Sequence, residues 1–257
     1  MKRTCTDRTP VMLSDRLVAH RGYQARYPEN TLLGFTKAIE AGAHFIETDI
    51  LFSSDHQPVL YHDALMSRIS GVENAIHLLT LSELKTYPAS EPERLGNQFI
   101  SEKITALTEL VTLLSANPKV TAFIELKRSG LHIEGIENAY KIVTKLLQPV
   151  ITQCVLISFS DDFIHYAWQQ GYPRLGMVLK QWDELEGELI TSIRPEFIFC
   201  DTEIVPEEAT LDSIESKVVI YEVTLPDNAI HWYNRGADLV ETFNYGGMMD
   251  GLTQRTL

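Results

Sequence analysis

The chain has 257 residues, with 35 Asp and Glu against 22 Lys and Arg, which leaves a formal charge of −13. That balance argues against nucleic-acid or anionic-membrane binding, both of which need basic surface that displaces counterions, and favours a small-molecule partner. Apolar side chains make up 44% of the residues, yet no run approaches the roughly 20 needed to cross a bilayer, so neither disorder nor stable membrane insertion is expected.

In chain order, the basic start from Met1 to Pro10 is not followed by the apolar stretch of a secretory signal, and cytoplasmic residence is the default expectation. A β-like run at 16–20 ends in Ala19-His20-Arg21-Gly22, and an amphipathic stretch follows at 31–41. Asn30 reads as the residue that caps this helix, with Pro28 preventing its extension upstream. Apolar, β-branched runs recur at 45–52, 121–127, 154–159, 174–179, 197–201, 218–223 and 238–242. Helix-like stretches fall between them at 107–115, 136–147, 163–170 and 228–235. Eight strands with intervening helices predict an α/β fold, a (β/α)8 TIM barrel, and at this length one barrel domain spanning 1–257.

Roughly seventy residues separate Phe52 from Thr121, more than one helix and two loops require, so an insertion over about 53–105 is expected after strand two. Its first part reads as a turn at 55–57 and a short returning strand, a hairpin on 45–52. A turn centred near His56 sets His62 across from Ile50 and beside Asp49. The remainder, with a short helix at 80–84 and a loop at 87–97, reads as a cap over the barrel's carboxyl end, where barrel chemistry is found.

Alternation along the second strand puts Glu47 and Asp49 on the face of Phe45, with Ile46 and Ile50 on the other. Glu125 and Lys127 share one parity on the next barrel strand, about 4.8 Å away. Three carboxylates at one mouth must shift their proton affinities or share a cation, and oxygen-only ligands favour Mg2+ or Ca2+ over zinc, with Mn2+ a third candidate. The plainer alternative is a set of salt-bridged strand ends. His20 and His62 reach the same opening, and Arg21 and Lys127 add donors suited to phosphate oxygens. A metal, two imidazoles and two cations describe phosphoester chemistry better than a glycosidase.

The sequence also resembles the glycerophosphodiester phosphodiesterases. The matching pieces are His20-Arg21-Gly22, Pro28-Glu29-Asn30-Thr31, Gly42-Ala43, Ile46-Glu47-Thr48-Asp49, Asp55 with Pro58-Val59, His62-Asp63, Thr80-Leu81-Ser82-Glu83-Leu84, Ile124-Glu125-Leu126-Lys127 and Ser158-Phe159. The resemblance implies a (β/α)8 barrel with an insertion after strand two, a divalent cation on Glu47, Asp49 and Glu125, His20 and His62 as acid and base, and phosphate held by Arg21 and Lys127. It implies hydrolysis of a glycerophosphodiester to glycerol 3-phosphate and an alcohol. Two departures fall near the C-terminus. Tyr221-Glu222-Val223-Thr224 stands where the family has an aromatic-Thr-Val-Asn run, and Glu241-Thr242-Phe243 where it has Thr-Asp. Glu222, out of phase with Tyr221, is expected to point away from the mouth, and Glu241 is a candidate to supply the missing acid. Glu29 is a secondary candidate to approach the cation or His20.

Three further readings compete. A lysophospholipase-D-like diesterase would need an apolar groove in the cap, an enolase-type barrel would not need His20 and Arg21, and a degenerate barrel would bind phosphodiesters without turnover. His44, His56, His77, His132, His165 and His231 lack partners at useful spacing and are read as structural, as are Trp168, Trp182 and Trp232. Cys5, Cys154 and Cys200 are odd in number and far apart, so they are read as reduced thiols rather than disulfide or zinc ligands. No glycine-rich nucleotide motif is present, and the acidic stretch 183–188 reads as a solvated helix start.

Overall fold

The structure, a computed structural model, describes residues 12–255. Cys5 and the basic start lie outside these residues. Among the described residues ten strands form: β1 Leu17–His20, β2 Phe45–Phe52, β3 Pro58–Leu60, β4 Thr105–Ala106, β5 Thr121–Leu126, β6 Cys154–Ile157, β7 Gly176–Val178, β8 Phe197–Asp201, β9 Lys217–Tyr221 and β10 Leu239–Thr242. Eight of them are parallel, and β1 pairs with both β2 and β10. The ring runs on from β2 through β5 to β6 and back from β10 through β9 and β8 to β7. A parallel bridge between Leu156 and Leu175 joins β6 to the β7 segment. This is the predicted (β/α)8 barrel, closed so that no barrel edge is exposed.

Helices pack outside the ring on stripes that the 3.6-residue period defines. In Ile136–Leu147 the buried side chains are Ala139, Val143 and Leu147, each one turn from the next. Helix Leu32–Glu40 buries Gly34, Phe35 and Ala38, and its first turn is capped by Thr31, whose hydroxyl accepts from the Gly34 N–H. The cap is therefore Thr31 and not Asn30. Four helices had no clear sequence signal: Ser67–Ser70, Pro92–Leu95 within the stretch expected as a loop, Arg128–Glu134, and the glycine-rich Tyr245–Thr253.

Pleat alternation divides the strand side chains into two sets. One set packs against the helices. The other fills the barrel interior with Val18, Phe123, Val155, Ile157, Val178, Phe197, Phe199, Val219 and Leu239, with Phe45, Phe159 and Tyr221 partly buried around them. Carrying the same parity toward the carboxyl ends turns the lining polar, at His20, Glu47, Glu125 and Glu241. A dry apolar layer thus forms the floor beneath a charged mouth.

The insertion is built as expected but in a different register. Strand β3 pairs antiparallel with β2 at Ile50↔Leu60, Leu51↔Val59 and Phe52↔Pro58. The centre of the turn is one residue earlier than His56, because His56 is itself the last loop residue, in the left-handed region at φ 60°, and Ser53 N–H closes the loop on the Gln57 carbonyl. His62 therefore lies two residues farther from the Ile50 position than expected, past the end of the ladder. Strand β4 then pairs with β3. Leu51, Val59, Tyr61, Met66, Ile69, Ile76, Leu84, Ala89 and Ile104 form a small core of the insertion's own. The helix Leu81–Leu84 starts with a reciprocal cap between Thr80 and Glu83.

The loop after β1 brings His20 and Arg21 to the mouth through a close backbone approach. Gly22 has φ 88°, and a Cβ there would lie 2.8 Å from the carbonyl carbon of Gly34 in the first helix. Gly22→Ala is expected to destabilise the fold by roughly 1–3 kcal/mol, combining left-handed strain with a backbone clash. A lowered urea midpoint at unchanged slope checks this, and an unchanged midpoint contradicts it.

Candidate active site

A cavity of about 160 Å³ opens at the carboxyl end of the barrel, lined on one side by His20, Arg21, Glu47, His62, Glu125 and Lys127. Ile157, Phe159, Val178, Phe199, Tyr221, Glu222 and Glu241 complete it. Of the seven residues singled out from the sequence, six line this space. The seventh, Asp49, is fully buried and enclosed by Arg21, Asn30 and Lys127.

The carboxylates arrive from neighbouring strands by register. Asp49 of β2 is level with Glu125 of β5, and His20 of β1 is level with Glu47. Oxygen atoms of Glu47, Asp49 and Glu125 all lie within 4.8 Å of one another. A second group, His20, Glu47 and Glu241, is equally tight, so Glu47 belongs to both. Glu47 Oε1 and Glu241 Oε1 are buried without a hydrogen-bond partner, and Asp49 Oδ1 has only the ammonium of Lys127 beside it, at 3.2 Å, among the described residues. Buried carboxylate oxygens that converge with too few donors to satisfy them all fit a hard divalent cation.

Both fixed cations are held by these acids. Arg21 adopts φ 54°, which swings its side chain back so that Nε stands 3.1 Å from Asp49 Oδ2 and a terminal nitrogen 3.3 Å from Glu29 Oε1. Lys127 Nζ lies 3.2 Å from Asp49 and 3.1 Å from Glu125. Asn30, also left-handed at φ 53°, donates to Asp49 Oδ2 at 2.9 Å and accepts from the Thr48 hydroxyl at 2.7 Å. Its role is to fix a site carboxylate; Asn tolerates the backbone conformation that this requires.

His62 Nδ1 is 2.6 Å from Asp63 Oδ1, and Asp63 in turn receives Arg68 Nε at 2.7 Å. The Arg68 guanidinium also makes two 2.8 Å hydrogen bonds to Glu29. Glu29 therefore does not approach His20 as expected. It is buried as the acceptor of Arg21, Gln24 and Arg68. On the other imidazole, Glu222 Oε1 lies 3.0 Å from His20 Nδ1, while His20 Nε2 is 3.5 Å from Glu47. Glu222 thus turns toward the mouth, contrary to the alternation argument, because β9 ends at Tyr221 and the pleat no longer governs the next residue. Glu241 was recoverable from sequence: it shares the parity of Leu239, which lines the barrel interior. Arg68, in the one-turn helix Ser67–Ser70, had too short an element around it for periodicity to reveal it.

Burial raises the Glu47 carboxyl well above the ordinary range, and Asp49, Glu241 and Glu125 add to the shift. Burial likewise raises Glu125, with Lys127 opposing, and pushes Glu241 up to about 7 despite the nearby His20. Asp49 moves the other way: burial would raise it, but Arg21 and Lys127 override this and hold it below the usual carboxylate range. Among the remaining histidines, His56 pairs with Glu134 and His165 stacks on Trp168, away from the mouth. Trp232 is buried, whereas Trp168 is 42% exposed and does not pack as expected. Cys154 and Cys200 are buried free thiols, each pushed up to about 12 by burial.

The pH dependence follows in sign. A glutamate raised in the folded state favours folding below its unfolded value, and that contribution is lost as pH rises through the folded value, about 7 for Glu241. Asp49 acts oppositely, but only below about pH 4, where its contribution is lost on acidification. Chelated protein is therefore expected to melt at lower temperature at pH 8 than at pH 5, and Mg2+ or Ca2+ to raise the melting temperature more at pH 8. Equal cation shifts at both pH values would contradict this.

Residues 20–166 match the family model described as the glycerophosphoryl diester phosphodiesterase family. A glycerophosphodiester phosphodiesterase of Caldanaerobacter subterraneus is 31% identical over 59% of this chain and 59% of its own length. The human glycerophosphodiester phosphodiesterase 1 is 32% identical over 58% of this chain and 44% of its own. The matched region thus spans about half of these relatives' length. Among solved structures, a phosphodiesterase from Oleispira antarctica, in complex with the product sn-glycerol-3-phosphate, superposes with a TM-score of 0.82 at 22% identity, covering 93% of this chain and 96% of that one. The glycerophosphodiester phosphodiesterase of Thermotoga maritima gives 0.71 at 23% identity, over 91% and 97%. With the barrel, its insertion and the acidic mouth all in place, the matched segment from His20 onward establishes that this chain belongs to the glycerophosphoryl diester phosphodiesterase family.

Proposed function

We propose that the protein is a glycerophosphodiester phosphodiesterase that uses a divalent cation, Mg2+ or Ca2+ with Mn2+ a third candidate, to release glycerol 3-phosphate and an alcohol. Barrel and insertion act as one domain in this reading. The observation that carries it is the pairing of two imidazoles, each with a carboxylate near Nδ1, on one cavity that has three converging acids at its wall and just behind it.

Glu47, Asp49 and Glu125 would hold the cation, which when bound polarises a phosphoryl oxygen and offsets charge in the transition state. Arg21 and Lys127, which both line the cavity, would hold the phosphate. A carboxylate at each Nδ1 favours the ring tautomer that leaves Nε2 to exchange a proton with the substrate. One histidine takes the proton of the attacking oxygen, from water or the neighbouring glycerol hydroxyl. The other gives its proton to the departing alkoxide, so that charge and protons balance over the step. Attack by the hydroxyl would form a cyclic phosphate first, and phosphorus NMR of early time points distinguishes the two routes.

The insertion offers little room for an acyl chain. Its core side chains are buried against each other, and the crevice between Leu51, Ala64, Ile76 and Ile133 has a volume of about 10 Å³. That supports short diesters over lysolipids, and the ratio of rates on glycerophosphocholine and a long-chain lysophosphatidylcholine tests the choice.

His20→Ala and His62→Ala are each expected to lower kcat by about 10²–10⁴-fold while circular dichroism stays unchanged. Glu47→Gln is expected to lose turnover together with the thermal stabilisation given by Mg2+ or Ca2+. A panel of glycerophosphodiesters assayed after chelation and after re-addition of each metal tests substrate and ion together; full activity in chelator would overturn the reading.

A further inference from the structure

Glu222 and Phe243 stand at the two places where the sequence leaves the family pattern, and both converge on His20. The Phe243 ring stacks on the imidazole, centroids 4.5 Å apart and planes at 12°. Glu222 Oε1 lies 3.0 Å from Nδ1 as a charge-pair contact, at a buried atom that makes no hydrogen bond of regular geometry with any described residue.

We propose that these two departures are one device: Glu222 holds the Nδ1 edge of His20 and Phe243 its ring face, so that together they fix the orientation and tautomer of the imidazole. The inference rests on the acid–base reading of His20. Both are positioning residues.

The need for such a device follows from the loop after β1. His62 has its carboxylate next door, in Asp63, and Arg68 locks that acid in place. His20 is followed by Arg21, whose side chain is turned toward Asp49 and Glu29, so no adjacent residue can serve Nδ1. An acid must come from another strand. The β9 end supplies it, because Val223 N–H donates to the Glu241 carbonyl at 2.9 Å and pins the segment that follows Tyr221 against β10. Phe243 is anchored in the same way, its carbonyl accepting from Ala25 N–H at 2.9 Å. The threonine of the family pattern at 222 would bring an uncharged and shorter side chain. The two departures are therefore matched, since the ring stack fixes the plane in which the carboxylate must meet Nδ1.

Histidine ring nitrogen NMR at alkaline pH, where the imidazole is neutral, tests this on the cation-loaded protein, with His20→Ala assigning the resonance. Wild type is expected to carry the proton on Nδ1, and Glu222→Ala to lose that preference. In turnover, Glu222→Ala is expected to lower kcat by roughly 10–100-fold with KM within about twofold, for both glycerophosphoethanolamine and glycerophosphoglycerol. Glu222→Gln should recover part of kcat, because its amide oxygen still accepts from Nδ1–H, and Phe243→Leu should cost less with Glu222 absent than with it present. An unchanged His20 tautomer in Glu222→Ala would overturn the proposal. So would a loss confined to KM for the cationic alcohol, which would assign Glu222 to the leaving group. If wild type turns over no diester, the functional reading fails while the tautomer measurement still decides the role of Glu222.

Discussion

The site depends on an imbalance of charge that the barrel itself imposes. Strand parity directs Glu47, Glu125 and Glu241 inward above a layer of Phe45, Phe123, Phe197, Phe199 and Leu239, and that layer offers no hydrogen bonds to solvate them. Asp49 joins them, and the two fixed cations at the mouth, Arg21 and Lys127, are spent on Asp49 and Glu125. Asp49, which touches both cations, is held ionised, whereas Glu47 and Glu241, which lack a close cation, have their proton affinity raised. The mouth is short of positive charge in a definite place, and a divalent ion is the economical remedy.

The polypeptide meets this demand partly with unusual backbone. Arg21 and Asn30 both adopt positive φ within a few residues of each other, and the loop between them closes by Asn30 N–H donating to the Arg21 carbonyl at 3.0 Å. One conformation turns a guanidinium back onto Asp49, and the other aims an amide at the same carboxylate. Left-handed residues at a functional mouth are a familiar location for stored conformational cost. Here the partners that hold them in place are the site acids themselves.

Much of this was readable from the amino acids because alternation is a strict constraint inside a barrel. It placed Glu47, Asp49, Glu125 and Lys127 on one wall, set Ile46 and Ile50 on the other, and located His20 at a strand end. Where strands stop, the rule stops too. Glu222 was assigned the wrong direction because it lies one residue beyond β9, and the register of His62 was misjudged because a left-handed His56 moved the turn centre. Asn30 looks like a helix cap in any window that includes Thr31 and Leu32, and only three-dimensional proximity to Asp49 distinguishes its role. Helix Tyr245–Thr253 was hidden by Gly246, Gly247 and Gly251, which weaken the local helical preference that tertiary packing overrides.

The two imidazoles belong to different packing units. His20 is part of the barrel wall, whereas His62 and Asp63 ride on an insertion that buries Val59, Tyr61, Met66 and Ile69 in a core of its own. Elements with separate cores can open separately, at a free energy below that of global unfolding. Arg68 is one clasp between them, spanning from Asp63 to Glu29 across the seam, beside Glu91, which accepts from Glu29 N–H, and Arg94, which donates to the Gln24 and Tyr27 carbonyls. The spacing of the two imidazoles is thereby set by how a unit of structure smaller than the protein seats on the barrel.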